Sequence, residues 1–481
     1  MIRLGTNTMG RPVTLNDDAL CEHVLLIGST GSGKTEMLLA MAAEQVARGG
    51  GLLVMDGKGE PGTWERLAGI ADALGRGEDL RLLDFSHGGR GNTLLPLATM
   101  SADRLLALLV QMMEETQADG AMWKGRAISL LGGVVRAACH LRDNYGEEMD
   151  AQILVKELSL VRIIQRSKDT RLTPSLTSGL RSYLMMLPGY SEGKGTQQSQ
   201  NTLDQHGYLH MQFLRVLDTL GDANPHVFGG ENPIDARDLL RGRRICMVRL
   251  PALEKSPDEI LNLGRIVIAL LRDVMIRQFE GDEEPRRGGP PMPFLVMLDE
   301  AGSYLAEGVT EMIAQARSLR MAIVVSTQSV ESLERWSERA ARSVMSNTNT
   351  KVVMRSAPGQ IAMHPRAPNL PTGDFVMLSR GKDIVGRVRR TEALPATQCR
   401  RTNGLVSVGL DFLAECVGTL RIDPVSLLGE SAVGLPWPFE KSVTDERDGT
   451  RGAKRAVALL SNLSSQNKGY MKRTDDVVRL V

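Results

Sequence analysis

Eight consecutive residues near the amino terminus limit the possible folds more than any other part of the sequence: Gly28-Ser29-Thr30-Gly31-Ser32-Gly33-Lys34-Thr35. An apolar run (23–27) precedes them and a helical pattern (36–48) follows, so they join a predicted strand to a predicted helix. Glycines there let backbone N–H groups turn inward, where they bind phosphate together with the helix dipole. In this pattern Lys34 reaches the β- and γ-phosphates and the Thr35 hydroxyl holds Mg²⁺. The context strongly favours a site for ATP and Mg²⁺ over an ordinary glycine-rich turn.

Short apolar runs alternate with helical patterns in much of the chain. Strands are predicted at 23–27, 51–55, 80–85, 244–250, 294–298, 321–326 and 350–354. Such alternation is typical of an α/β fold with a mostly parallel central sheet that helices cover on both faces. An edge strand at 13–15 and a hairpin from 374–378 and 384–389 are predicted at its side.

One long segment departs from this alternation and predicts an inserted all-α domain. Helical spacing of apolar residues continues from about 98 to 235, with helices predicted at 101–116, 121–142, 151–167, 173–187 and 199–220. The domain boundaries that follow are 1–97 and 236–395 for two parts of a nucleotide-binding domain, 98–235 for the all-α domain, and 396–481 for a partly disordered basic extension. The glycine-rich segment 188–196 is predicted to be a mobile loop.

Composition limits the possible partners and the compartment. Because the 481 residues carry a formal net charge of +1, any contact with DNA must come from a local basic surface. Aromatic residues make up only 4%, which argues against stacking on unpaired bases and favours contact with the phosphate backbone. The five scattered cysteines fit buried thiols in a reducing compartment, and no run of about 20 apolar residues predicts a membrane span. We therefore expect a soluble, cytosolic chain.

A nucleotide site of this kind needs a carboxylate at the end of another strand. Leu298-Asp299-Glu300 supplies it: Asp299 is predicted to bind Mg²⁺ and Glu300 to act as the general base on the attacking water. A solvated strand end is the alternative, but the phosphate loop favours the functional interpretation because the mechanism requires both parts.

Other polar residues complete the predicted site. Gln328 follows the apolar strand 323–325 and is predicted to sense the γ-phosphate or the water, although it could simply form a turn. Arg317, like Arg320, lies near a helix end, where it could reach a neighbouring subunit's nucleotide or only interact with the helix dipole.

Two further features stay open. Lys58 and Glu60 follow the second strand and could line the site or form an exposed ion pair. Trp123, beside Lys124 and Arg126, is a candidate partner contact, but a buried Trp is the commoner arrangement.

Together these residues resemble the coupling proteins of type IV secretion and conjugation. The ordered set comprises residues 23–35, Asp56-Gly57-Lys58-Gly59-Glu60 where the family usually has Asp-Pro-Lys-Gly-Glu, the insertion with Trp123, Leu298-Asp299-Glu300, Ala316-Arg317, Ser326-Thr327-Gln328-Ser329 and Asn347. The resemblance implies a RecA-like P-loop NTPase domain, an all-α domain that recognises substrates, and a homo-hexamer with nucleotide at its interfaces. It gives Lys34, Thr35, Asp299, Glu300 and Gln328 the ATPase roles above and makes Arg317 a trans-acting arginine.

The resemblance predicts an ATPase that recruits DNA, a relaxase with accessory proteins, or protein substrates to the secretion channel at the inner membrane. Most members begin with a membrane anchor, whereas this sequence starts just before the phosphate loop, as in an anchorless member that relies on a membrane partner or in a truncated form. Alternatives are another FtsK- or HerA-like DNA translocase or secretion ATPase, and a substrate-receptor platform whose assembly ATP controls.

Overall fold

The computed structural model describes residues 1–86, 88, 91–113, 121–229, 232–279, 292–304, 309–335, 338–357 and 363–388. The predicted extension 396–481 lies outside these residues. The strands are β1 (Ile2–Asn7), β2 (Pro12–Leu15), β3 (Val24–Ile27), β4 (Leu52–Asp56), β5 (Leu80–Asp84), β6 (Ile245–Arg249), β7 (Phe294–Asp299), β8 (Met321–Thr327), β9 (Thr350–Val353), β10 (Asp374–Ser379) and β11 (Lys382–Val388).

The helices are α1 (Asp17–Cys21), α2 (Lys34–Ala47), α3 (Pro61–Ala73), α4 (Pro96–Thr99), α5 (Ala102–Met112), α6 (Ala121–Tyr145), α7 (Ala151–Glu157), α8 (Leu160–Arg166), α9 (Pro174–Met186), α10 (Gln200–Thr219), α11 (Pro225–Phe228), α12 (Ala236–Arg241), α13 (Pro257–Phe279), α14 (Val309–Ala316), α15 (Val330–Glu334) and α16 (Glu338–Asn347).

The strands that the structure describes form one sheet in the order β2-β1-β11-β10-β9-β3-β8-β7-β4-β6-β5. From β9 to β5 neighbouring strands are parallel, whereas β2, β1, β11 and β10 add an antiparallel side. The predicted hairpin is confirmed, and Arg380 and Gly381 both have positive φ, as a two-residue hairpin turn requires. The α/β fold with a mostly parallel sheet is therefore confirmed, although β1 was not predicted.

Both faces of the parallel strands are buried. Along β4, Leu53 and Met55 face one apolar core, while Leu52 and Val54 face the other. Alternation follows from the two-residue period of a strand, and burial on both sides explains why these strands are continuously apolar. One core is closed by α2 and α3, and the other by α5, α6 and α13, among other helices.

The segment between β5 and β6 is helical, and its two ends meet. The amide of Ile234 donates to the carbonyl oxygen of Thr93 at 2.8 Å, and the amide of Thr93 donates to that of Asn232 at 3.2 Å. The segment that leads into the helices at Thr93 and the segment that leaves them at Ile234 therefore run side by side. The helices share a core with the sheet, because Leu105 and Leu130 belong to the same apolar cluster as Leu53.

Two predicted helices are each divided in two. The one predicted at 151–167 is α7 and α8, since Ser159 has extended backbone angles and is the N-cap of α8. The one predicted from about 331 to 345 is α15 and α16. In the predicted loop 188–196, the side-chain amide of Gln198 donates to the carbonyl oxygens of Ser191 and Gly195 and accepts from the amide of Ser191, so the segment is a closed turn.

Candidate nucleotide-binding site

The phosphate loop is anchored to the strands on either side of β3. The amide of Ser29 donates to the carbonyl oxygen of Arg355 at 2.7 Å, and the amide of Gly28 donates to that of Thr327 at 3.3 Å. Gly33 has φ of 107°, which glycine adopts without strain, and α2 begins at the next residue. The loop is thereby fixed at the carboxyl edge of the parallel strands, where α/β proteins bind ligands.

Lys34 is buried inside this loop, with 4% of the residue exposed. Its Nζ donates to the carbonyl oxygens of Gly28 at 2.7 Å and Ser29 at 3.4 Å, and lies 3.8 Å from Glu300 Oε1. Burial lowers the pKa of Lys34, and the Glu300 carboxylate partly opposes that effect. An ammonium held mainly by neutral carbonyls would gain from contact with an anionic phosphate.

The donors of the loop fit phosphate groups. Among the described residues, no acceptor pairs with the amide N–H groups of Thr30, Gly31, Gly33, Lys34 and Thr35. The buried Ser32 Oγ is also unpaired within this part of the chain. These groups surround the amino terminus of α2, where the helix dipole favours negative charge.

Oxygen atoms suited to Mg²⁺ lie beside the loop. Thr35, Asp56 and Asp299 line one small cavity next to α2. Asp299 Oδ1 accepts from Ser326 Oγ at 2.7 Å and from the Glu300 amide at 3.0 Å, which orients the carboxylate. Burial raises the pKa of the Asp299 carboxyl, so a divalent cation would stabilise its charged form. A hydroxyl and carboxylates form a donor set that fits Mg²⁺.

Glu300 joins the other predicted residues. Its φ of 51° is left-handed, so the chain turns sharply after β7. Gln328 Nε2 donates to Glu300 Oε2 at 3.1 Å, and Lys58 Nζ lies 3.1 Å from Glu300 Oε1. The structure therefore brings Lys34, Glu300 and Gln328 together, and it resolves the open question of Lys58, which lines the site.

Arg317 does not lie beside Lys34, Glu300 and Gln328. It follows α14 at the amino ends of the strands, 66% of its side chain is exposed, and its nearest carboxylate oxygen is Glu22 Oε1 at 3.6 Å. The length of β8, roughly 20 Å for seven residues, separates that end from the phosphate loop. Arg317 is thus outside its own chain's site.

Two charged residues that the sequence analysis missed, Asp84 and Arg249, continue the site along the sheet edge. The register places Asp84, Arg249, Asp56 and Asp299 side by side as the last residues of β5, β6, β4 and β7. Arg249 pairs with Asp84 at 2.7 Å and donates to the Gly59 carbonyl oxygen at 3.0 Å. The signal available in the sequence was that each of these apolar runs ends in a charged residue.

Two sequence expectations depend on regions described only in part. Trp123 and Lys124 lie in α6, but their side chains are outside what the structure describes. In the same described ranges, none of the helices combines the length and apolar character that a membrane span requires.

Comparisons with known proteins show which family this chain resembles in sequence. Residues 293–362 match the family model described as the TraM recognition site of TraD and TraG. The type 4 coupling protein DotL of Legionella pneumophila is 33% identical over 380 residues, which cover 72% of this chain and 48% of DotL. The chain therefore spans about half the length of this curated relative.

Solved structures share the fold at low sequence identity. The plasmid coupling protein TrwB in complex with ADP and Mg²⁺ has a TM-score of 0.55 at 13% identity, over 82% of this chain and 91% of that one. An unbound form of the conjugative coupling protein TrwB has a TM-score of 0.53 at 16% identity, over 82% and 90% of the two chains. From the DotL similarity, the matched family model and this shared fold, we conclude that the chain belongs to the coupling proteins of type IV secretion.

Proposed function

We propose that this protein binds ATP with Mg²⁺ and hydrolyses it to drive or gate the transfer of substrates into a type IV secretion channel. One observation carries the proposal: Lys34, Glu300 and Gln328 converge beside the phosphate loop, although they come from different parts of the chain. Thr35 and Asp299 line the adjoining cavity and would hold Mg²⁺. The ion would shield the negative charge of the phosphates during transfer.

The chain's own residues would each have a distinct task in hydrolysis. The backbone amides of residues 30, 31 and 33–35 and the Lys34 ammonium bind the phosphates. Glu300 accepts a proton from the attacking water as the new bond to the γ-phosphorus forms and the bond to the leaving ADP oxygen breaks. Gln328, which donates to Glu300, orients that carboxylate and the water.

The substrates that this chain would recruit are proposed from the family resemblance and from the helical segment. The family resemblance suggests DNA with its relaxase and accessory proteins, or secreted proteins, delivered at the cytoplasmic face of the inner membrane through a membrane-embedded partner. The helical segment also exposes apolar side chains on α9 and α10, namely Met185, Met186, Leu203, Tyr208, Met211 and Leu214. Exposed apolar side chains can contact a protein partner, which supports the substrate-recognition role proposed for 98–235.

ATP turnover by the purified chain, measured over a range of protein concentrations with and without DNA, tests the proposal. We expect Lys34→Ala and Glu300→Gln each to lower turnover by about 100-fold or more, because they remove the phosphate ligand and the general base. Lys168→Ala, at an exposed site, is the matched control and should leave turnover unchanged. Absence of Mg²⁺-dependent turnover in the unaltered chain would refute the enzymatic proposal.

The same experiment separates the alternatives. Turnover that rises with DNA and with protein concentration supports an assembled motor. The receptor platform would be supported instead if turnover changed with neither DNA nor protein concentration, and if the chain bound a secretion substrate through the apolar side chains of α9 and α10.

A further inference from the structure

The turn from Asp56 to Glu60 is held by hydrogen bonds and close contacts that involve backbone groups. Asp56 Oδ1 accepts from the Lys58 amide at 2.8 Å, and its Oδ2 accepts from the Glu60 amide at 3.0 Å. A Cβ at Gly57 would lie 2.7 Å from the Tyr304 ring, and Gly59 has φ of 69° beside the Leu250 carbonyl oxygen. Because no contact in this framework uses the Lys58 side chain, the turn is free to present that side chain to the site.

The Lys58 side chain is directed at Glu300. Its Nζ is 3.1 Å from Glu300 Oε1, the oxygen that Lys34 approaches only to 3.8 Å. The Glu300 side chain is 9% exposed and that of Lys58 is 29% exposed, so the pair is largely shielded from water. Gln328 occupies the other carboxylate oxygen, which leaves Glu300 held from two sides.

We propose that Lys58 is a positioning residue for the general base: its ammonium holds Glu300 in place, so that Lys34 stays on the phosphate loop. The inference rests on the proposed ATPase function and assigns Lys58 a role in that site. The carboxylates of Glu300 and Asp299 both act on Lys34. In the absence of Lys58, Lys34 is the next cation near Glu300 among the residues that the structure describes, and it would be drawn toward Glu300, away from Gly28 and Ser29.

This role predicts a specific kinetic pattern. Lys58→Met keeps most of the unbranched side chain and the backbone contacts of the turn but removes the charge. We expect kcat to fall about 10- to 100-fold, within the range that general-base catalysis contributes. KM for ATP should rise by a smaller factor than kcat falls, because in this role Lys58 acts directly on Glu300 and affects the phosphates only through Lys34. Lys58→Arg, which keeps the charge, should recover part of kcat, and Lys168→Met is the matched control.

A second readout does not depend on hydrolysis. The Lys58 ammonium lies 3.1 Å from Glu300 Oε1 in a largely buried pair, and this contact restricts the approach of an acylating reagent to Nζ. Glu300→Gln replaces the charged partner with a neutral amide and should therefore increase the rate at which acetic anhydride acylates Lys58, by at least about threefold. Acylation of Lys168 in the same sample should not change.

The outcomes are distinguishable. If Lys58→Met left kcat intact while the unaltered chain hydrolysed ATP, only the role of Lys58 would be wrong. A loss of ATP affinity with unchanged kcat would likewise overturn it and make Lys58 a phosphate ligand. Unchanged acylation in Glu300→Gln would show that the pair does not form in solution. A chain without turnover would instead overturn the proposed function on which the inference rests.

Discussion

At the scale of single residues, Tyr304 ties the two acidic strands of the site together. It is fully buried, and its hydroxyl lies 2.8 Å from the Asp299 carbonyl oxygen and 3.3 Å from that of Met55, at the ends of β7 and β4. We expect Tyr304→Phe to lower the free energy of unfolding by about 1 kcal/mol, since the buried hydrogen bond from the hydroxyl to the Asp299 carbonyl oxygen is lost. Urea denaturation measures this change. Tyr208→Phe, at an exposed ring on α10, is the control, and an equal loss there would contradict the assignment.

Residues within a local motif could be predicted, and residues defined by distant contacts could not. Lys34 and Thr35 follow from the spacing of the phosphate loop, and Asp299 and Glu300 from a strand end. The contacts of Lys58 with Glu300 and of Tyr304 with Met55 join positions more than 240 residues apart. No local pattern encodes such pairs, because strand order in the sheet decides which ends become neighbours.

At the scale of elements, α9 and α10 are joined by a buried polar contact that makes their packing sensitive to acid. The Tyr183 hydroxyl lies 2.7 Å from His206 Nδ1, and the His206 ring stacks near His210. Burial, together with the charge of His210, lowers the pKa of His206 to about 4. The neutral form of His206 is therefore the one that the folded helices favour.

The sign of the pH dependence follows from this lowered pKa. The contribution to stability is complete above the unfolded pKa of about 6.5 and is lost as the pH falls toward about 4, by up to about 3 kcal/mol. Thermal melting between pH 7.5 and pH 4 measures the loss, which should be smaller in His206→Gln. His140→Gln, at a partly exposed position on α6, should keep the slope of the unaltered chain. A His206→Gln slope equal to that of the unaltered chain would refute the prediction.

The sequence predicted which segments are helical more accurately than it predicted where each helix begins and ends. Apolar spacing identified the long helices of the 98–235 segment, but it could not show that Ser159 interrupts the one predicted at 151–167. Buried apolar residues lie on both sides of the break, at Leu158 and Leu160, so no polar stretch marks it in the sequence. Only the extended backbone at Ser159 ends the regular helix.

At the scale of the whole molecule, the sheet separates Arg317 from the nucleotide site of its own chain. The phosphate loop lies at the carboxyl ends of β3 and β8, whereas Arg317 precedes the amino end of β8 and is largely exposed. An arginine placed there can assist hydrolysis only at the site of a neighbouring subunit. If it does so, the defects of two different variants should complement each other in mixed assemblies.

We expect an equal mixture of Lys34→Ala and Arg317→Ala chains to regain turnover that neither has alone. Arg317→Ala keeps an intact nucleotide site, and a Lys34→Ala neighbour supplies the missing arginine to it. With random mixing in a closed ring, about one quarter of the interfaces place the intact nucleotide site of an Arg317→Ala chain beside the intact Arg317 of a Lys34→Ala chain. Glu300→Gln mixed with Lys34→Ala is the matched control, because both changes damage the same half of the interface and no combination restores it. Full activity of Arg317→Ala alone, or a mixture no more active than its components, would show that Arg317 does not act across the interface.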